Sequence, residues 1–123
     1  MKKNNTQTFL KSFVHAFNGM KYFFLHERNG KVQLCMAVLA VALGAGFGLT
    51  PAEWTAVLLC IALVPGLEML NSVVEKLCDL VQEEFNPKIK IVKDVAAGAV
   101  LWVSIISAII GCIIFIPKIL ALL

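Results

Sequence analysis

Glu68, Asn71, Glu75 and Asp79 lie 3, 4 and 4 residues apart within one largely apolar stretch. At about 100° per residue, a helix gathers them into one stripe roughly 80° wide. An acidic side chain inside a membrane span costs roughly 3 kcal/mol unless paired or wetted, so such a stripe predicts function. Carboxylates with an amide oxygen are the hard donors Mg²⁺ accepts, and Mg²⁺ commonly arrives with nucleotide phosphates. Lys93-Asp94 adds a phosphate-seeking cation and another carboxylate, and Glu27-Arg28-Asn29 adds charge at the same expected depth. Glu68, deeper than these, is suited to take the proton of a lipid hydroxyl. Plainer roles stay open: Asp79 and Lys76 suit any interfacial helix, Glu83 and Glu84 a solvated loop, and Asn71 interhelical hydrogen bonding.

Positioning that stripe requires a membrane protein. The 123 residues are 59% hydrophobic and 15% charged, with 11 Lys+Arg against 8 Asp+Glu. That balance excludes an ordinary water-soluble surface and gives no basic footprint for nucleic acid. Cys35, Cys60, Cys78 and Cys112 stand singly, without C-x-x-C pairs or histidines at ligand spacing, so neither a disulfide framework nor a metal centre is expected. Near the N-terminus, Lys11, His15 and Asn18 interrupt the apolar residues and no small-residue cleavage site follows, so no removable signal is predicted.

The expected fold is all-α: one membrane domain over residues 1–123, with an amphipathic interfacial helix at about 6–29 and spans at 31–49, 52–80 and 87–117. Phe9, Phe13, Phe17, Met20 and Phe24 recur at helical spacing and form the apolar face of the first helix, opposite Lys11, Asn18 and Lys21. A packed cytoplasmic extension of the first span is the plainer reading of that segment, and Gly19 is expected to divide it. Thr50-Pro51-Ala52-Glu53 reads as a capping box and Asn86-Pro87 as a second helix start, whereas Pro117 is expected to end the last helix. Ten cations, including Lys2 and Lys3, precede the first span or lie between Lys76 and Lys93, and only Lys118 lies on the other side. This places the N-terminus and the Glu83–Lys93 loop in the cytoplasm and the short first loop and the C-terminus outside. Ala96-Ala97-Gly98-Ala99 predicts close approach of a neighbouring helix.

The run Glu68-Met69-Leu70-Asn71-Ser72-Val73-Val74-Glu75, with Asp79, resembles the E-x-x-N-[ST]-x-x-E-x-x-x-D signature of the small bacterial integral-membrane lipid kinases, the diacylglycerol and undecaprenol kinases. Lys93 to Val100, Lys11-Ser12-Phe13 with Ala16-Phe17-x-Gly19, and Glu27-Arg28-Asn29 extend the likeness across roughly Phe9 to Lys118. The resemblance implies a homotrimer that moves the γ-phosphoryl group of ATP to a lipid hydroxyl. It implies Glu68 as catalytic base, Glu27 and Glu75 as Mg²⁺ ligands, and Asn71, Lys93 and Asp94 on the nucleotide, with Glu84-Phe85-Asn86 lying against it. His15 stands where the family often carries a nucleotide-contacting tyrosine, and Thr8 where some members carry arginine. Pro65-Gly66 also departs from the family pattern and is expected to kink the helix ahead of Glu68. Glu27-Arg28-Asn29 and Ile116-Pro117-Lys118 look more like the undecaprenol kinase branch.

The favoured function is therefore an ATP- and Mg²⁺-dependent lipid kinase, with undecaprenol ahead of diacylglycerol. The alternative is a small proton-coupled transporter using Glu68 as its protonation site. A structural membrane subunit leaves the stripe unexplained.

Overall fold

A computed structural model describes residues 5–82 and 84–123, so Lys2, Lys3 and Glu83 of the sequence reading lie outside the described residues. Four helices follow in order: α1 (Asn5–His26), α2 (Arg28–Phe47), α3 (Pro51–Val81) and α4 (Pro87–Leu120). The last three are long and apolar enough to cross a membrane. At 20, 31 and 34 residues they extend about 30, 46 and 51 Å, so α3 and α4 outreach a hydrocarbon core of about 30 Å.

Local chemistry accounts for the helix ends. Gly48 ends α2 at φ 71°, donating its N–H to the Gly44 carbonyl. Glycine adopts this left-handed conformation without the clash a Cβ meets. Two residues later the expected capping box is present: Thr50 Oγ1 accepts from the Glu53 N–H at 3.2 Å, and the Thr50 N–H donates to Glu53 Oε1 at 3.0 Å. Asn86 Oδ1 caps α4 by accepting the Lys88 N–H at 2.9 Å.

Two expected helix breaks are absent. α1 passes unbroken through Gly19, because a lone glycine costs only about 1 kcal/mol and its neighbours favour helix. α4 passes through Pro117 to Leu120. Proline withholds one N–H but has a helical φ, and its carbonyl still accepts the Ala121 N–H at 3.1 Å. Pro65 likewise lies inside a continuous α3.

The α1–α2 joint is one residue long. Glu27 is extended (φ −92°, ψ 139°), and the two helices meet so closely that a Cβ on Gly30 would lie 1.9 Å from the Phe23 carbonyl oxygen. Phe23 is the buried aromatic of α1, whereas Phe9 and Phe17 of the predicted stripe are 64% and 65% exposed.

At the opposite end, Leu49, Val57 and Ile114 form the buried cluster, joined by Trp54 and Phe115. There Lys118 reaches Glu53 at 3.0 Å and pins the end of α4 to the start of α3. A cavity of about 420 Å³ lies between α2, α3 and α4, lined by residues from Gln33 and Pro65 to Val57 and Phe115. Among the described residues nothing lies within 4 Å of a Cβ built on Gly98, so the small-residue surface of α4 is open there.

Candidate functional site

The start of α2 docks along one face of α3. Glu68, Ser72 and Lys76 are successive i, i+4 positions, and each bonds to the segment Glu27–Asn29. Asn29 Nδ2 donates to Glu68 Oε1 at 2.8 Å. Ser72 Oγ donates to Glu27 Oε2 at 2.6 Å, and the Lys76 ammonium bonds the other Glu27 oxygen. Lys76 also lies 5.0 Å from the Tyr22 ring centre, which ties α1 to the same point. A second cavity, about 360 Å³, opens between α1 and α3 beside Gly19, Tyr22, Glu27, Ser72 and Lys76.

The Lys76 ammonium and then the Ser72 hydroxyl hold the Glu27 carboxyl below the usual carboxylate range, against a smaller opposing effect of burial. Both bonds favour the ionised form.

Glu68 and Asn71 are the two buried polar side chains among the described residues, each 7% exposed. Asn71 Nδ2 donates to Glu75 Oε1 at 3.4 Å, while buried Asn71 Oδ1 has no hydrogen-bond partner. A buried amide oxygen without a donor is costly, and it offers a ready acceptor for a cation or a hydroxyl. At the cytoplasmic end predicted from sequence, Asp79 Oδ1 meets Lys93 Nζ at 2.7 Å and joins α3 to α4. Asp94 pairs with Lys90 along α4 at 2.5 Å.

The remaining predicted residues have other surroundings. His15 is exposed on α1, and Glu84 and Phe85 are exposed in the α3–α4 connection; no polar or ring contact ties any of them to the Glu27–Glu68–Lys76 cluster. Asn86 serves as the α4 cap. Sequence reasoning missed the joint action of Asn29, Ser72 and Lys76. The available signal was the 68-72-76 spacing, a second polar line adjoining the first.

Among the described residues no group of three or more His, Cys, Asp or Glu side chains gathers to hold a metal. Mg²⁺ needs less, because one or two carboxylates plus substrate phosphates usually hold it. Glu27, Glu75 and the orphaned Asn71 oxygen are donors of the type Mg²⁺ accepts, but among the described residues Glu27 bonds Ser72 and Lys76 while Glu75 bonds Asn71, so no contact joins the two carboxylates.

Three helices able to span a membrane, one of them with a buried carboxylate and an unpartnered amide oxygen, define a membrane protein with a polar site inside a span. The model of the prokaryotic diacylglycerol kinase family matches residues 14–115, and the chain belongs to that family. It is 38% identical to an undecaprenol kinase of Bacillus subtilis (strain 168), over 94% of each chain. It is 32% identical to a diacylglycerol kinase of Synechocystis, over the whole of this chain and 73% of the other. A diacylglycerol kinase of Helicobacter pylori is 26% identical over 81% of this chain and 78% of its own. The protein is accordingly a membrane lipid kinase, a phosphotransferase with an alcohol acceptor, and the transporter reading gives way to it.

Proposed function

We propose that the chain transfers the γ-phosphoryl group of ATP to the primary hydroxyl of a membrane lipid, with undecaprenol preferred over diacylglycerol. The observation that carries this reading is buried Glu68 one turn from the orphaned oxygen of Asn71. Glu68 takes the proton of the lipid hydroxyl as that oxygen forms a bond to the γ-phosphorus. The bond from the γ-phosphorus to the β,γ-bridging oxygen breaks, and ADP leaves with its electron pair. Such transfer depends chiefly on alignment and charge neutralisation. When bound, Mg²⁺ on Glu27 and Glu75 supplies neutralising charge at the phosphates.

Lys93 exchanges its bond with Asp79 for the nucleotide, Asp94 and Asn71 help order it, and Glu84, Phe85, Asn86 and His15 lie along its path. The surface aromatics of α1 rest in the cytoplasmic headgroup region of a bacterial inner membrane. The cation distribution keeps the N-terminus inside and the C-terminus outside. The small-residue surface of α4 suits assembly with further copies as a homotrimer.

The acceptor preference rests on the undecaprenol kinase likeness over 94% of both chains; a cavity of about 420 Å³ that suits an apolar tail of either lipid begins at Pro65, one turn deeper than Glu68. Its lining of α2, α3 and α4 side chains is largely apolar and accepts a tail whose hydroxyl end lies toward Glu68. Purified protein in bilayers, given Mg·ATP with undecaprenol and diacylglycerol in parallel, is expected to phosphorylate undecaprenol faster. Faster transfer to diacylglycerol reverses the acceptor assignment, and no transfer to either overturns the proposed reaction.

A further inference from the structure

Glu68 has one described polar partner, and it comes from another helix. Asn29 Nδ2 donates to Glu68 Oε1 at 2.8 Å, across 39 residues of sequence, and no described ion pair includes Glu68. The partner is neutral. An amide N–H gives one directed bond to one carboxylate oxygen and brings no charge with it.

We propose that Asn29 is a positioning residue for phosphoryl transfer: it occupies Oε1 of Glu68 and leaves Oε2 to receive the proton of the lipid hydroxyl. This role rests on the lipid kinase reading with Glu68 as base. A free glutamate turns about its last torsion, and its two oxygens are equivalent, so an unanchored base spends much of its time misaimed. One fixed donor removes that equivalence. Asn29 is itself held in place, because it lies in the first turn of α2 between two fixed neighbours. Glu27 is bonded to Ser72 and Lys76, and Gly30 is packed against the Phe23 carbonyl. That α2 terminus, with its unpaired N–H groups and positive dipole end, also favours a carboxylate nearby.

The test is steady-state kinetics of the full chain in bilayers at pH 8 with Mg·ATP and the better acceptor lipid, alongside the unfolding temperature. Asn29→Leu removes the donor, and near-isosteric Asn29→Asp replaces it with an acceptor. Asn29 is exposed apart from this contact, so at least one variant is expected to fold. The expected result is a fall in kcat on the order of 10–100-fold, the scale of a misaimed reacting group, with KM for Mg·ATP within about twofold of wild type. Interhelical glue alone would lower the unfolding temperature and raise KM for Mg·ATP together with the loss of kcat; that pattern overturns the proposal. So does a folded variant with kcat within about threefold of wild type. Absence of transfer by the wild-type chain is a different failure: it overturns the kinase reading and this role with it.

Discussion

The residues that matter most act in pairs from distant parts of the chain. Glu27 accepts from Ser72 and Lys76, 45 and 49 residues further on. Its lowered pKa fixes the direction of a pH effect. The stabilisation is complete above the ordinary carboxylate value of 4.5 and is lost as pH falls through the lower folded value. Lys76→Met is therefore expected to lower the unfolding temperature at neutral pH. More than half of the Lys76 side chain is exposed, so solvent screening keeps the loss small. The gap between wild type and variant should close as pH drops below about 4.5, the ordinary value; a gap that widens on acidification contradicts the pairing. Periodicity exposed Glu68, Asn71, Glu75 and Asp79 because one helix carries them all. It could not expose Asn29 against Glu68, since that contact depends on how α2 meets α3.

At the scale of elements, two glycines of similar sequence context should behave oppositely. A Cβ at Gly30 meets backbone, which cannot rotate away, so Gly30→Ala should cost about 1–3 kcal/mol and loosen α1 from α2. Nothing lies within 4 Å of a Cβ at Gly19, so Gly19→Ala in the nucleotide-free protein should be neutral or stabilise by about 0.5–1 kcal/mol. Thermal unfolding with hydrogen exchange along α1 checks both, and equal effects contradict the packing described. Capping at Thr50 and Asn86 was legible because a few adjacent side chains decide it. Passage through Gly19 and Pro117 was not, because the local penalty of a breaker is weighed against long flanking helix. Phe23 was missed because burial on α1 is set by the one-residue Glu27 joint rather than by the aromatic stripe.

At the scale of the molecule, the number of spans was legible from apolar length, while assembly leaves little mark beyond Ala96–Ala99. Gly98→Leu fills the surface proposed to meet another copy, and the mass of the protein in detergent should fall from trimer toward monomer; an unchanged mass contradicts that interface. The whole arrangement, from the capped start of α3 to the joint at Glu27, holds one buried carboxylate, Glu68, against the start of α2, and the proposed reaction assigns it the proton of the lipid hydroxyl. Its most direct test is phosphate transfer from Mg·ATP to lipid by wild type and Glu68→Gln side by side, with nucleotide binding measured on both. The account predicts a loss of at least about 100-fold in turnover, within the range for removing a general base, with nucleotide binding retained. A Glu68→Gln protein that phosphorylates lipid at the wild-type rate would contradict it.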